Sequence, residues 1–179
     1  MARLFYFTMG FHENFALRRL ASHGVDSRDS ILVATLKPAI PGVKDAFESL
    51  RLYASKSGVR RIELLEVPLD PVGGLASSAF FILDRLHRYV SLGYRLIVAD
   101  LTGGSRPLIV ASMIALIMAS ESADIDLWLQ SDTGGSWESR MPPGIISLIK
   151  RGLSREKEAL LVFLAEKPGA SVEELTERL

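Results

Sequence analysis

The chain of 179 residues is 48% hydrophobic and 23% charged, and its 21 Lys and Arg residues balance 21 Asp and Glu residues. This composition supports one domain with a hydrophobic core, alone or with an appendage, and excludes a disordered chain and a polycation that coats nucleic acid by charge alone. The absence of cysteine excludes disulfides, zinc fingers, iron–sulfur clusters and a thiol nucleophile.

Apolar runs typical of buried strands alternate along the chain with segments of helical periodicity. In chain order the pattern predicts a strand at 4–8, a helix at 12–23, a strand at 31–34, a helix at 43–57, a strand at 62–67, a helix at 74–92, a strand at 95–100, a helix at 105–120 and a strand at 125–129. A sixth strand is predicted at 137–141, paired through a turn at Gly134-Gly135. The alternation indicates an α/β fold: a Rossmann-like, doubly wound, mostly parallel sheet with helices on both faces.

No segment has the length and composition of a membrane span. The longest nearly continuous apolar stretch, Leu108–Ala119, is interrupted by Ser112 and is shorter than the roughly 20 residues that a span requires, so it predicts a buried helix. The amino-terminal residues lack the basic and apolar regions of a secretory signal. We therefore expect a cytoplasmic protein that does not associate with membranes.

The sequence changes in character after Pro142-Pro143. This change divides the chain into a Rossmann-like domain, a connector and a partial helix-turn-helix, which span residues 1–142, 143–152 and 153–179. In the last segment an amphipathic helix ends near Pro168, and a capping-box pattern at Ser171–Glu174 begins another helix. The recognition helix of a helix-turn-helix is missing. We expect that the chain ends before its natural domain does or that this domain is vestigial; the alternative is a helical hairpin that packs on the sheet or on a partner.

Two loops stand out at the place where a doubly wound sheet binds its ligands. A strand order of 3-2-1-4 makes the loops after the first and fourth strands, Thr8–Asn14 and Thr102–Pro107, neighbours at the carboxyl edge of the sheet. In the second loop, adjacent glycines allow a close backbone approach and positive φ angles. Ser105 can cap the following helix, and Arg106 adds a planar group suited to phosphate. Together these features predict an anion site; the alternative is a tight strand–helix turn with a solvated arginine.

Neither loop carries a common nucleotide motif. Gly10 stands alone where G-x-G-x-x-G would follow the first strand, and no acidic residue ends the second strand, which argues against a dinucleotide cofactor. The second loop lacks the G-K-[ST] ending of an ATP-hydrolysing loop. No two histidines have metal-ligand spacing, so we expect no metal and no cofactor. His12, at a helix start, and Lys37, after the second strand, are each either ligand contacts or solvated residues.

Three segments together resemble the CRISPR-associated Rossmann fold (CARF) domain: Phe7–Glu13, Phe15–Leu20 and Ala99–Pro107. The helices predicted from Leu153 onward look like the start of the winged helix-turn-helix that follows this domain in the archaeal CRISPR-locus DNA-binding regulators. The resemblance covers essentially the whole chain. The departure from the family pattern is the missing recognition helix and wing.

The resemblance implies a homodimer whose paired loops form one two-fold site for a cyclic oligoadenylate, commonly cyclic tetra-adenylate. It implies that the ligand-binding residues are Thr8, Gly10, Phe11, His12, Thr102, Gly103, Gly104, Ser105 and Arg106. In the regulators the ligand is thought to modulate binding of the complete winged-helix domain to promoter DNA, and with it the transcription of CRISPR genes.

Three functions are compatible with the sequence. The first is a ligand-sensing transcription regulator in antiviral defence, which has no catalytic residues and responds through its different affinities for two states. The second is a metal-independent ring nuclease that cleaves cyclic tetra-adenylate by positioning and charge stabilisation. Its candidate catalytic residues are Ser105, Arg106, His12 and Lys37. The third is a protein-interaction module without a nucleotide ligand.

Overall fold

The computed structural model describes residues 2–69, 74–130 and 138–146. The elements in these residues are β1 (Arg3–Thr8), α1 (Asn14–His23), β2 (Ser30–Leu36), α2 (Pro41–Lys56), β3 (Arg61–Val67), α3 (Gly74–Ser91), β4 (Leu96–Asp100), α4 (Arg106–Ala119), β5 (Asp124–Gln130) and β6 (Glu138–Met141). No helix in this part of the chain is long and apolar enough to cross a membrane.

The strands form one six-stranded sheet in the order β3-β2-β1-β4-β5-β6. Neighbouring strands from β3 to β5 are parallel, and β6 pairs with β5 in the antiparallel direction. This order confirms the predicted Rossmann-like, mostly parallel sheet. The chain reverses its winding direction between β1 and β4, so the loops that follow these two strands share the switch point.

Alternate residues of β1 face two different hydrophobic cores, as the period of a strand requires. Phe5 and Phe7 pack in the cluster that includes α1 and α2, whereas Leu4 and Tyr6 pack in the cluster that includes α3 and α4. The Tyr6 hydroxyl lies 2.7 Å from Ser112 Oγ of α4, and burial raises the pKa of this phenol. Helices therefore cover both faces of the sheet, as predicted.

The element boundaries differ from the predicted ones at two places that matter for the site. The first helix begins at Asn14 and not at the predicted His12. Glu13 occupies the position before the helix, and His12 lies in the loop. The second strand continues past the predicted 31–34, because its last residues still pair with β3 through Thr35↔Glu66 and Leu36↔Val67. His12 and the last residues of β2 therefore both lie at the carboxyl edge of the sheet.

The apolar sequence of α4 predicts a buried helix, but one face of α4 is exposed. Val110 and Ile114 are 44% and 38% exposed, and they lie four residues apart on one face. The predicted sixth strand is present as β6. The predicted turn at Gly134-Gly135 and the helical segment 153–179 lie outside the described residues, as does the connector beyond Ile146.

Candidate functional site

The two predicted loops lie in direct contact at the carboxyl edge of the sheet. They are the β1–α1 loop (Met9–Glu13) and the β4–α4 loop (Leu101–Ser105). A Cβ atom added at Gly103 would lie 2.5 Å from the Thr8 carbonyl oxygen, and one added at Gly10 would lie 3.2 Å from the Gly104 amide nitrogen. The first of these distances is too short for any side chain. Glycine at these positions is what allows the two backbones to touch.

The two adjacent glycines serve different purposes. Gly104 adopts φ +90°, a conformation that residues with a Cβ rarely take. Gly103 is not among the glycines with positive φ, and its lack of a side chain serves the close approach to Thr8. The predicted positive φ therefore holds for Gly104 and not for its neighbour.

The β4–α4 loop has backbone hydrogen-bond donors without an acceptor among the described residues. The amide groups of Gly103, Gly104 and Ser105 make no hydrogen bond within the part of the chain that the structure describes. They lead into the first turn of α4, whose own amide groups have no partner within the helix and whose dipole places partial positive charge at this end. This position in the structure therefore favours negative charge.

Two hydroxyl groups beside this loop are buried without a partner. Ser105 occupies the position before α4 with extended backbone angles, φ −81° and ψ 152°, yet its hydroxyl makes no capping bond. The expectation that Ser105 caps α4 through its side chain is therefore wrong. Pro107, at the second helical position, has no N–H to donate, and the serine hydroxyl does not accept from the Leu108 amide at the third position either. The Oγ atoms of Ser105 and of Thr8 are both buried without a hydrogen-bond partner in the described chain.

Two cavities open beside the contact between the loops. An apolar cavity of about 330 Å³ has walls from the ends of β1 and β2 and the starts of α2 and α4, and a second, glycine-lined cavity encloses about 370 Å³. Gly10, Phe11 and Gly104 line both cavities. The apolar cavity is further lined by Met9, Thr35, Leu36, Pro38, Ile40, Val43, Ser105 and Leu108. The glycine-lined cavity is further lined by His12, Phe15, Thr102 and Gly103.

Most of the nine predicted site residues line the cavities, but not all of them do. Seven of the nine line one or both cavities, while Thr8 is buried beneath them at 4% exposure. Arg106 is exposed as the first residue of α4 and makes no hydrogen bond or ion pair with a described residue. Lys37, a candidate for the ring-nuclease alternative, is exposed and lines neither of these cavities.

A buried charged group beneath the β4–α4 loop was not predicted from the sequence. Asp100, 1% exposed at the end of β4, accepts hydrogen bonds from both the amide and the hydroxyl of Thr102. Its other carboxylate oxygen lies 3.1 Å from Nε of Arg19, a residue of α1 that is 2% exposed. An acidic residue at the end of an apolar strand is the signal that could have found Asp100, but it does not identify its partner.

The arrangement suits a ligand that is both anionic and rich in flat or apolar groups. Donors lie at the start of α4, and apolar walls stand beside them. Within the described residues, no group of three or more His, Asp or Glu side chains is placed to hold a metal ion.

Comparison with known proteins gives three findings. A family model described as the Csa3 CRISPR-associated Rossmann-like domain matches residues 3–138. A protein of Saccharolobus solfataricus, the "CRISPR locus-related putative DNA-binding protein Csa3", is 26% identical over 175 residues, which are 98% of this chain and 70% of that protein. The structure of Enterococcus italicus Csm6 bound to cyclic hexa-2'-fluoro-hexa-dAMP shares the fold, with a TM-score of 0.59 and 10% identity over 92% of this chain and 47% of that one.

Proposed function

Because the chain belongs to the family of Csa3 CRISPR-associated Rossmann-like domains, we propose that it is the sensor domain of a CRISPR-associated transcriptional regulator. Its ligand is a cyclic oligoadenylate, with cyclic tetra-adenylate as the first candidate. One observation carries this proposal. The backbone amides of the β4–α4 loop have no acceptor among the described residues, and this loop lies between two cavities.

The chemistry of the loop matches a ring of phosphodiesters. Each phosphodiester carries one negative charge, and the amide groups before α4 and the helix dipole favour negative charge at this position. Arg106 holds a guanidinium at the start of the same helix and can bind a phosphate through two parallel hydrogen bonds. Phe11, 66% exposed between the cavities, offers a ring on which an adenine can stack.

A second copy of the chain would complete the site. Arg106, Val110 and Ile114 are all exposed and follow one another at four-residue intervals along one face of α4. An apolar stripe therefore continues directly from the cationic end of the site. A homodimer that buries this stripe about a two-fold axis brings two β4–α4 loops together, and a cyclic tetra-adenylate has matching two-fold symmetry.

The regulatory part of the proposal concerns the remainder of the chain. We propose the division into a sensor domain at 1–142, a connector at 143–152 and the first helices of a winged helix-turn-helix at 153–179. The Csa3 relative of Saccharolobus solfataricus, of which this chain covers 70%, is described as a putative DNA-binding protein. In this proposal ligand binding shifts the dimer between two states that present a complete winged-helix domain differently to promoter DNA.

The test is an incubation of the purified chain with radiolabelled cyclic tetra-adenylate, followed by a native gel and by denaturing chromatography. Parallel reactions contain cyclic tri-adenylate and cyclic hexa-adenylate, because ring size is a separate question. A retarded complex from which intact ring is recovered supports the sensor. A complex from which linear product appears over time assigns the ring-nuclease alternative. If no ring of any size is retarded, the sensor proposal fails and the protein-interaction module takes its place.

A further inference from the structure

Arg19 is the most deeply buried cation in the described chain, although it belongs to a helix that faces the sheet mainly with apolar residues. Its guanidinium lies 3.8 Å above the centre of the Trp128 ring. Nε lies 3.1 Å from Asp100 Oδ2, and one terminal nitrogen donates to Glu138 of β6. A single side chain of α1 thus contacts β4, β5 and β6.

Asp100 divides its two oxygens between the binding loop and this arginine. Oδ1 accepts from the Thr102 amide at 3.0 Å and from the Thr102 hydroxyl, whereas Oδ2 accepts from Arg19 and, at 3.3 Å, from the side-chain amide of Gln130. The Thr102 hydroxyl oxygen in turn accepts from the Gln130 backbone amide at 2.9 Å. Arg19, Asp100, Thr102, Gln130 and Glu138 form one continuous set of hydrogen bonds, which we call the Arg19 network.

The network joins both loops of the site. Arg19 belongs to α1, which directly follows the β1–α1 loop, and Asp100 is the residue from which the β4–α4 loop departs. The ion pair between them therefore connects the helix that follows one loop to the strand that precedes the other. At its other end the network reaches Glu138, which pairs with Gln130 in the antiparallel β5–β6 ladder.

Stability alone is a poor reason for such a buried group. Removing charges from water is costly, and apolar residues of similar volume often stabilise a core at least as well as a buried ion pair does. A fully satisfied polar network instead fixes one geometry, because each partner constrains the direction of the next hydrogen bond. This is the property that a binding loop with two adjacent glycines lacks.

We propose that Arg19 is a positioning residue that holds the two binding loops in register and links the β4–α4 loop to β6. The ligand-dependent part of this inference rests on the function proposed above. On this inference, a shift of Thr102 on ligand binding changes the hydrogen bonds of Asp100, and Arg19 carries that change to Glu138. The strand β6 is the last element described before the remainder of the chain, where the connector is proposed.

The test uses Glu138→Gln in the full chain, because this substitution keeps the shape of the side chain and lies outside the cavity linings. Arg140→Gln is the matched control: Arg140 is also on β6, forms an ion pair with β5 through Asp126 and lies 4.9 Å from the centre of the Trp128 ring, but its side chain makes no hydrogen bond to a residue of the Arg19 network. Hydrogen–deuterium exchange of the ligand-free proteins reports on the two hydrogen-bonded amides of the β4–α4 loop, that of Leu101, which donates to the Trp128 carbonyl, and that of Thr102, which donates to Asp100. We expect Glu138→Gln to accelerate exchange in this loop and Arg140→Gln to leave it unchanged.

Ligand binding gives the second readout. Residues of a coupling network change the coupled affinity by about two- to thirtyfold, so Glu138→Gln should weaken cyclic tetra-adenylate binding within this range. Arg19→Met should weaken it further if that variant folds. Unchanged loop exchange in Glu138→Gln overturns the inference whether or not the chain binds a cyclic oligoadenylate. Accelerated loop exchange in a chain that binds no ring would sustain the positioning role and reject the proposed function.

Discussion

Replacing Gly103 by alanine tests whether contact between the loops is required for binding. The added Cβ would lie 2.5 Å from the carbonyl oxygen of Thr8, and ordinary contact begins at 3.4 Å, so the loops must separate by about 0.9 Å. The neighbour is a backbone oxygen of β1 and cannot rotate away as a side chain can. The displacement therefore falls on the β4–α4 loop and moves its amide groups relative to the start of α4.

A shift of this size removes hydrogen bonds without unfolding the domain. A donor at the usual distance of about 2.9 Å from a phosphate oxygen would move beyond hydrogen-bond reach. Loss of one hydrogen bond to a charged group costs about 1.5–3 kcal/mol, and in a dimer the loss occurs twice, so affinity should fall at least about a hundredfold. The overpacked contact should lower the free energy of unfolding by about 1–3 kcal/mol. Titration calorimetry with cyclic tetra-adenylate and urea denaturation measure the two effects separately.

Gly93→Ala is the matched control. Gly93 follows α3 with φ +97°, and an added Cβ there would meet no atom within 4 Å. The left-handed conformation alone costs an alanine about 1–2 kcal/mol, so this variant should lose a comparable amount of stability and keep its affinity. If Gly103→Ala binds the ring as tightly as Gly93→Ala does, the contact between the loops has no part in binding.

Three further predictions concern charge, assembly and the core. Arg106→Ala should weaken ring binding about ten- to a hundredfold for each arginine lost, and twice over in a dimer, because a charge-assisted hydrogen bond is lost, while Arg51→Ala on the exposed face of α2 should leave the affinity unchanged; equal losses in both variants would contradict the assignment. Ile114→Glu should convert the proposed dimer to a monomer in light scattering, and an unchanged mass would exclude this face of α4 as the interface. Tyr6→Phe leaves the buried Ser112 hydroxyl unpaired, so urea denaturation should show a loss of about 1–3 kcal/mol with unchanged ligand affinity.

The order of the sheet could be predicted because each strand carries its own evidence. Runs such as Leu4–Phe7 and Ile31–Ala34 are apolar enough to be buried on both faces, and parallel strands with helical crossovers have few allowed arrangements. Local signals failed at element ends. The predicted end of the second strand relied on the approaching Pro38, whereas the observed end depends on pairing with β3, which a neighbouring-residue pattern does not contain.

The two loops could be predicted because their glycines stand out in the sequence. Gly103 and Gly104 interrupt the pattern between a strand and a helix, and such a break is visible without any partner. The side-chain cap assigned to Ser105 is absent: Pro107 has no amide at the second helical position, and the serine hydroxyl does not accept from the amide at the third. That failure leaves the Ser105 hydroxyl without a partner in the described chain, beside the predicted site.

The Arg19 network lies beyond prediction from one sequence because it depends on three independent placements. Arg19 follows another arginine, and nothing local distinguishes which of Arg18 and Arg19 points inward; in the structure Arg18 is exposed and Arg19 is buried. The phase of α1 decides that choice, the end of β4 places Asp100, and the β5–β6 register places Glu138 opposite Gln130. A one-residue slip in this register would turn Glu138 to the opposite face of the sheet. The glycine loops therefore supply the donors of the site, whereas their spacing depends on charged residues that only the assembled sheet brings together.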